Sequence, residues 1–148
     1  MDEPSLRTIL ATSPTVLVLG IHHDPARPAH YVPAYLFEHG YRILGVNPAL
    51  VGTTLFGEPV RASLADLADL GEPIDLVDVF RRPEALPAHA AELAAVAAPV
   101  IWFQLGIRHD QVAAALIAAG KTVVQDRCTL ADHRRFGLGR PVRPPSGL

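Results

Sequence analysis

Five short segments set the architecture. Residues 16–19, 43–46, 74–79, 100–103 and 122–124 are mostly apolar, rich in valine and isoleucine, and do not alternate with polar residues. A strand with one wet face alternates, whereas a strand covered on both faces does not. The runs therefore predict buried strands of a parallel sheet. Between them lie helical patterns. Tyr31, Tyr35 and Leu36 have helical spacing, and Gly40 supplies a left-handed stop. Ser63 can cap the LADLADL stretch, with Leu64 and Leu67 on one face. Leu86, Leu93 and Val96 mark one side of an alanine-rich helix over 84–97; Val112, Leu116 and Ala119 mark another, ended by Gly120. Further helices are expected over 6–11 and 130–136. Alternating strands and helices mean βαβ units, and right-handed crossovers wind these into an α/β fold. The expectation is a doubly wound, mainly five-stranded parallel sheet with helices on both faces. One domain spans 1–136, and the proline- and glycine-rich tail, 137–148, is expected to be disordered.

A chain of 148 residues, 49% apolar, suits a single domain with a full core. Thirteen basic against 15 acidic residues leave a net charge of −2, which argues against nucleic acid as a partner. The single cysteine permits no intrachain disulfide and fits a reducing compartment. The start, MDEPSLRTIL, has no signal-peptide pattern, and no apolar run approaches the ~18 residues of a membrane span. A cytoplasmic protein is expected.

In an open parallel sheet, ligands bind beyond the carboxyl ends of the strands, near the point where strand order reverses. The residues following each strand are therefore the candidates. They are Gly20, Ile21, His22, His23, Asp24, Arg27 and Pro28, then Asn47 and Pro48, then Phe80 and Arg81 after Val79, then Gln104 and Gly106, and lastly Asp126, Arg127 and Cys128. Arginines, amides, glycines and one aromatic ring suit an anionic ligand with a flat ring. The first turn runs into a helix N-terminus, whose free N–H groups and dipole attract phosphate. Gly20 permits close backbone approach, and Arg27 can fork onto phosphate oxygens. The alternative reading is a βα turn that its prolines merely stiffen. A nicotinamide dinucleotide fits less well, because the turn lacks G-x-G-x-x-G and the second strand ends in Asn47 rather than an acid.

His22, His23 and Asp24 are adjacent, and neighbours in an extended loop point apart. A shared metal ion would need ligands from other loops, such as His109 or His133. Solvated loop histidines are the preferred reading, with no metal assigned. Cys128 has His133 five residues on. A nucleophilic thiol needs a base or a lowered pKa, which Arg127 and the following helix N-terminus can provide. Spacing alone does not show contact, so Cys128 and His133 stand as weak catalytic candidates beside a structural or redox-reactive thiol.

Four segments in order carry a resemblance: VLGIHHDPARPAHYVPAYLFEHGYRILGVNP, LVDVFRRPEALP, WFQLGI, and VVQDRC followed by His133. Over about residues 8–136 the chain resembles the small single-domain CoA-binding proteins, relatives of the CoA-binding domain of succinyl-CoA synthetase. The resemblance implies a Rossmann-like domain holding coenzyme A, or an acyl-CoA, at the strand carboxyl ends. By position, Gly20 to Asp24 with Arg27 and Pro28 would line the phosphates, and Asn47 with Pro48 would border the adenosine. Val79, Phe80 and Arg81 would form the adenine side, and Gln104 and Gly106 would flank the pyrophosphate or pantetheine arm. It implies a non-catalytic carrier, sensor or regulator, alone or with a protein partner, since the ligase and ATP-grasp domains of larger relatives do not fit in 148 residues. The other readings are an enzyme acting on an acyl-CoA or nucleotide through Cys128 and His133, and a binder of another nucleotide. Relatives usually read G-x-S-x-N-P-x-R-P-S in the first loop. Here His22, Asp24 and Ala29 replace the first serine, the asparagine and the second serine, which removes two hydroxyl donors and adds an acid. A protonated His22 would offset that acid.

Overall fold

A computed structural model describes residues 1–67 and 70–145. Helix α1, Glu3–Ala11, precedes strand β1, Thr15–Leu19. Then follow α2 (Pro28–Glu38), β2 (Arg42–Val46), a hairpin of β3 (Thr54–Leu55) and β4 (Glu58–Pro59), β5 (Leu76–Val79), α3 (Leu86–Ala95), β6 (Val100–Phe103), α4 (Asp110–Ala118), β7 (Thr122–Val124) and α5 (Thr129–Arg135). The main sheet has five strands in the order β2-β1-β5-β6-β7, all parallel. This is the Rossmann-like α/β sheet expected. Strand order reverses between β1 and β5, which places the switch point there.

Both faces are covered, which is why the strands read as continuous apolar runs. Val16, Val18 and Leu76 pack with Leu6 and Leu10 of α1, Leu36 of α2 and Phe136 after α5. Leu17, Leu19, Val77 and Val79 pack with Leu86 and Leu93 of α3 and Val112 and Leu116 of α4. Local signals start and stop the helices. The Asp2 carboxylate accepts from Ser5 N at 2.9 Å to cap α1. Gly40 closes α2 at φ +97°, and a Cβ there would lie 2.6 Å from Arg140 Cγ.

Three expectations change at the element level. The LADLADL stretch forms a 3-10 helix over Leu64–Leu67; the rest of it includes residues 68 and 69, outside the described residues. Its cap also runs the other way, with the Asp66 carboxylate accepting from Ser63 N at 3.2 Å. The expected helix over 84–97 is a 3-10 turn, Pro83–Ala85, followed by α3. The β3–β4 hairpin was not expected; Leu55 and Phe56 pack against the core beside buried Val60, and the Arg42 guanidinium ties the hairpin to the sheet by forking onto Glu58 at 2.6 and 3.1 Å. No described helix is long and apolar enough to cross a membrane.

The described part of the tail makes specific contacts where disorder was expected. Gly139 O accepts from His133 Nε2 at 3.0 Å, and Val142 N donates to Ala11 O at 2.9 Å. The Arg143 guanidinium binds both Asp75 oxygens at 2.7 and 3.1 Å. Ordered chain thus extends past Phe136; residues 146–148 lie outside the described residues. Ending the chain at Leu138 removes these bonds. We expect a loss on the order of 2–3 kcal/mol, after discounting the half-exposed ion pair. A calorimetric melt should drop by roughly 5–10 °C, and an unchanged melt would show the tail to be a bystander.

Candidate functional site

The carboxyl ends of β1 and β5 come together at Gly20 and Phe80. Gly20 sits at φ +91°, and a Cβ on it would lie 2.6 Å from Phe80 O and 3.3 Å from Arg81 Nε. No side chain fits between them. Gly20 N donates to Val46 O and Phe80 N to Leu19 O, both at 2.8 Å, so three strand ends are locked. Arg81 Nε is buried there, and it and Asp78 Oδ1 are the buried polar side-chain atoms without a partner among the described residues. A buried donor left unpaired costs free energy, and this one lies beside the switch point.

The loop from Ile21 to Arg27 is shaped by its own polar groups. Ile21 is fully buried, and its Cγ2 would be 2.8 Å from a Cβ at Gly45. Asn47 Nδ2 donates to Ile21 O at 2.9 Å, while its Oδ1 accepts from Ala49 N at 3.0 Å to cap the 3-10 turn that Pro48 begins. Asp24 Oδ1 accepts from Ala26 N at 3.0 Å, an Asx turn. His22 Nδ1 accepts from Asp24 N at 3.0 Å, which requires that nitrogen to be unprotonated. Pro33, inside α2, has no N–H for the Ala29 carbonyl four residues earlier. That carbonyl accepts instead from His22 N at 3.2 Å, so the proline ties the loop to the helix. The start of α2 has Arg27 as N-cap, with no side-chain cap bond, and Pro28 at its first position. Pro28 has no N–H, and His30 N and Tyr31 N both donate to Arg27 O at 2.9 Å, which leaves the Ala29 N–H as the free donor of the first turn among the described residues, beside the exposed Arg27.

The expected divergence of the loop histidines is not found. The His22 and His23 rings stack at 4.7 Å and 17°, because the turn closed by Asp24 is compact rather than extended. His22 is half-buried and bonded on both its backbone and its ring. The protonated His22 entertained above would give up its bond from Asp24 N.

Beyond β6 and β7 the rim is interlocked. Gly106, at φ +84°, donates its N–H to Asp126 Oδ1 at 2.7 Å. Trp102 Nε1 donates to Arg127 O at 2.7 Å, and the Arg127 fork is taken by Asp132 at 2.7 and 2.8 Å. The structure does not pair Cys128 with His133. Cys128 is the N-cap of α5, whereas fully buried His133 has Nδ1 2.9 Å from Tyr35 Oη and Nε2 3.0 Å from Gly139 O. Burial pushes the His133 imidazole below its ordinary value. Val79 is buried against the α3–α4 face and offers the rim only backbone, its carbonyl accepting from Gln104 N at 3.2 Å.

Asp78 was not singled out from the sequence. It lies in β5 between Val18 and Trp102 and is fully buried. Its Oδ2 is 2.9 Å from Thr129 Oγ1, and Thr129 Oγ1 is 3.3 Å from Gln104 Oε1, which also accepts from Thr129 N at 3.1 Å. The signal was present: an acid inside an apolar parallel strand has no solvated face to use.

This is a doubly wound α/β domain whose switch point brings together a glycine and a buried, unpaired guanidinium nitrogen, with the first loop leading from there to the start of α2. The sequence matches the CoA binding domain family over residues 14–134, and the chain belongs to that family. It is 35% identical over 136 residues to "Uncharacterized protein YneT" of Bacillus subtilis strain 168, covering 90% of this chain and 97% of that one. A solved Thermus thermophilus protein, titled "The structure of cell-free ID.343", superposes with TM-score 0.85 at 50% identity, covering 91% of this chain and 98% of that one. A hypothetical protein from Pyrococcus horikoshii OT3 superposes with TM-score 0.81 at 27% identity, covering 91% and 92%.

Burial pushes the Asp78 carboxyl up to about 8, opposed only in part by its bond with Thr129. In the unfolded chain an aspartate loses its proton near pH 4, while in the fold it holds the proton to about 8. The folded state therefore binds more protons in that window, and stability falls as pH rises from about 4 to 8. Asp78→Asn should flatten this contribution, so the stability of the variant relative to the native chain rises by several kcal/mol across the window, on the order of 1.4 per pH unit. Urea melts at pH 4.5, 6 and 7.5 check this, and parallel profiles would mean that Asp78 is ionised in the fold.

Proposed function

We propose that the chain binds coenzyme A across the β1–β5 switch point and acts as a non-catalytic carrier, sensor or regulatory module. The observation that carries this reading is the buried, unpaired Arg81 Nε beside Gly20. A protein of this family with an orphaned guanidinium donor at the strand ends has a place for an anionic ligand. The groups present fit one. Gly20 keeps the floor of the crevice free of a side chain, the α2 N-terminus and Arg27 offer positive potential to phosphates, and half-buried Phe80 offers a ring edge or face. Ile21, His22, His23, Asp24 and Pro28 shape the phosphate loop, with Asn47 and Pro48 beside it; Gln104 and Gly106 stand at the far side, toward the pantetheine arm. Binding without catalysis is supported by the separation of Cys128 from His133, both of whose ring nitrogens are engaged elsewhere. The single cysteine and the absence of a membrane-spanning helix among the described residues suit a cytoplasmic module.

Calorimetric titration of purified protein with CoA, dephospho-CoA and NAD tests the reading. CoA should bind and NAD should not; NAD binding in preference to CoA would overturn it. Arg81→Ala should weaken CoA at least about tenfold, the value of a hydrogen bond to a charged group. Arg27→Ala should cost less, with its effect growing as salt is lowered. Unchanged affinity in Arg81→Ala would remove the central contact from the proposal.

A further inference from the structure

The buried trio Asp78, Thr129 and Gln104 has a proton-counting constraint that determines what it does. Thr129 Oγ1 lies between two oxygens, Asp78 Oδ2 at 2.9 Å and Gln104 Oε1 at 3.3 Å. One hydroxyl proton cannot serve both. If Asp78 were ionised, the hydroxyl would point to it, and the approach to Gln104 Oε1 would be oxygen on oxygen with no hydrogen. If Asp78 carries a proton, every contact is satisfied in one direction. Asp78 donates to Thr129 Oγ1, the Thr129 hydroxyl donates to Gln104 Oε1, and Thr129 N donates to the same oxygen at 3.1 Å. The remaining Asp78 Oδ1, unpartnered, is then a neutral carbonyl oxygen, far less costly to bury than a carboxylate.

The chain also sets which way the Gln104 amide faces. Two donors on Thr129 demand an acceptor, so Oε1 faces α5 and the NH2 group faces away from it. Gln104 Nε2 has no protein acceptor among the described residues, yet it is not sealed in as Asp78 Oδ1 and Arg81 Nε are. Gln104 follows β6 directly, at the carboxyl edge of the sheet.

We propose that Asp78 is a proton-carrying positioning residue: through Thr129 it holds the Gln104 amide as a hydrogen-bond donor to an oxygen acceptor of the ligand, a phosphate or amide carbonyl, and ionisation of Asp78 loosens that grip. This rests on the reading that CoA occupies the strand-end crevice. The neighbours of Asp78 leave it as the titrating group of the trio. Val18 of β1 and Trp102 of β6 flank it. On the elements packed over that face, Asp132 of α5 is held by Arg127, His133 by Tyr35 and Gly139, and the Tyr41 hydroxyl by Leu10 O. Glu3 of α1 pairs with Arg135, and the thiol of Cys128 precedes Thr129. Burial raises the Asp78 carboxyl and Thr129 opposes it in part, with no contribution from a charged neighbour.

The test compares the native chain with Asp78→Asn, whose amide still donates to Thr129 but cannot ionise, and with Thr129→Val, which breaks the relay. CoA affinity is titrated at pH 6, 7, 8 and 9. Protons that the CoA itself loses affect every protein alike, so the ratio of native to Asp78→Asn affinity isolates the residue. We expect native affinity to fall about tenfold relative to Asp78→Asn between pH 7 and 9. CoA binding with a ratio that stays level would overturn the proposal. The relay is also read without ligand, from the Gln104 side-chain NH2 signals in nitrogen-15 NMR spectra. These should shift between pH 7 and 9 in the native chain and stay fixed in both variants. Signals that stay fixed in all three overturn the relay whether or not CoA binds. Signals that shift in a protein that ignores CoA uphold the relay and discard the CoA reading.

Discussion

The close approach of Gly20 to the Phe80 carbonyl is the contact on which the rest depends. It needs a residue with no Cβ and a positive φ, and glycine alone supplies both without strain. Once it is made, the ends of β2, β1 and β5 share a hydrogen-bonded corner. Arg81 is carried beside Gly20, and the chain leaving β1 must turn at once toward α2. The helix is then held from within by an unusual means. Pro33 gives up an intrahelical bond, and the carbonyl it frees holds His22. A proline that weakens a helix in isolation here fastens the helix to the loop in front of it.

The second constraint is polar and lies deep. A parallel sheet covered on both faces has no cheap place for an acid, yet β5 carries Asp78 at its centre. The fold tolerates it because the first residue of α5 brings a hydroxyl and an N–H to the same spot, and Gln104 closes the set. The start of α5 is thereby registered against β5 and β6 by hydrogen bonds. Trp102 adds a third tie through the Arg127 carbonyl. Apolar packing alone would leave a helix of seven residues free to slide by a fraction of a turn.

How much of this could be read from the sequence depends on the range of the interaction. The five strands were legible because burial on both faces leaves an unbroken apolar run. The meeting of Gly20 with Phe80 and Arg81 was approachable from sequence because parallel strand ends lie together, Gly20 following β1 and Phe80-Arg81 following β5. The β3–β4 hairpin was not, because strands of two residues are too short to show alternation, and a long-range ion pair between Arg42 and Glu58 helps hold it. The tail read as disordered by composition, while its order comes from single long-range contacts to Ala11, Asp75 and His133. His133 looked like a partner for Cys128 by spacing, but five residues along a helix is well over a full turn, and the ring points to Tyr35 and the tail instead.

The first loop shows how a changed sequence can keep a backbone. Asparagine is usual in relatives where this chain has Asp24, and either side chain can accept from the N–H two residues on; Asp24 Oδ1 does so at Ala26. A serine oxygen could accept from the loop N–H that His22 Nδ1 takes from Asp24. An acceptor that shapes the turn is thus present at both positions. The Asp24 carboxyl oxygen is met locally by the Ala26 N–H, and His22 Nδ1 by the Asp24 N–H. The basic side chains at this edge are Arg27, the N-cap of α2, and Arg81 beside Gly20. The buried carboxyl of Asp78 lies on a separate network, tied through Thr129 to α5 and Gln104 rather than to this loop.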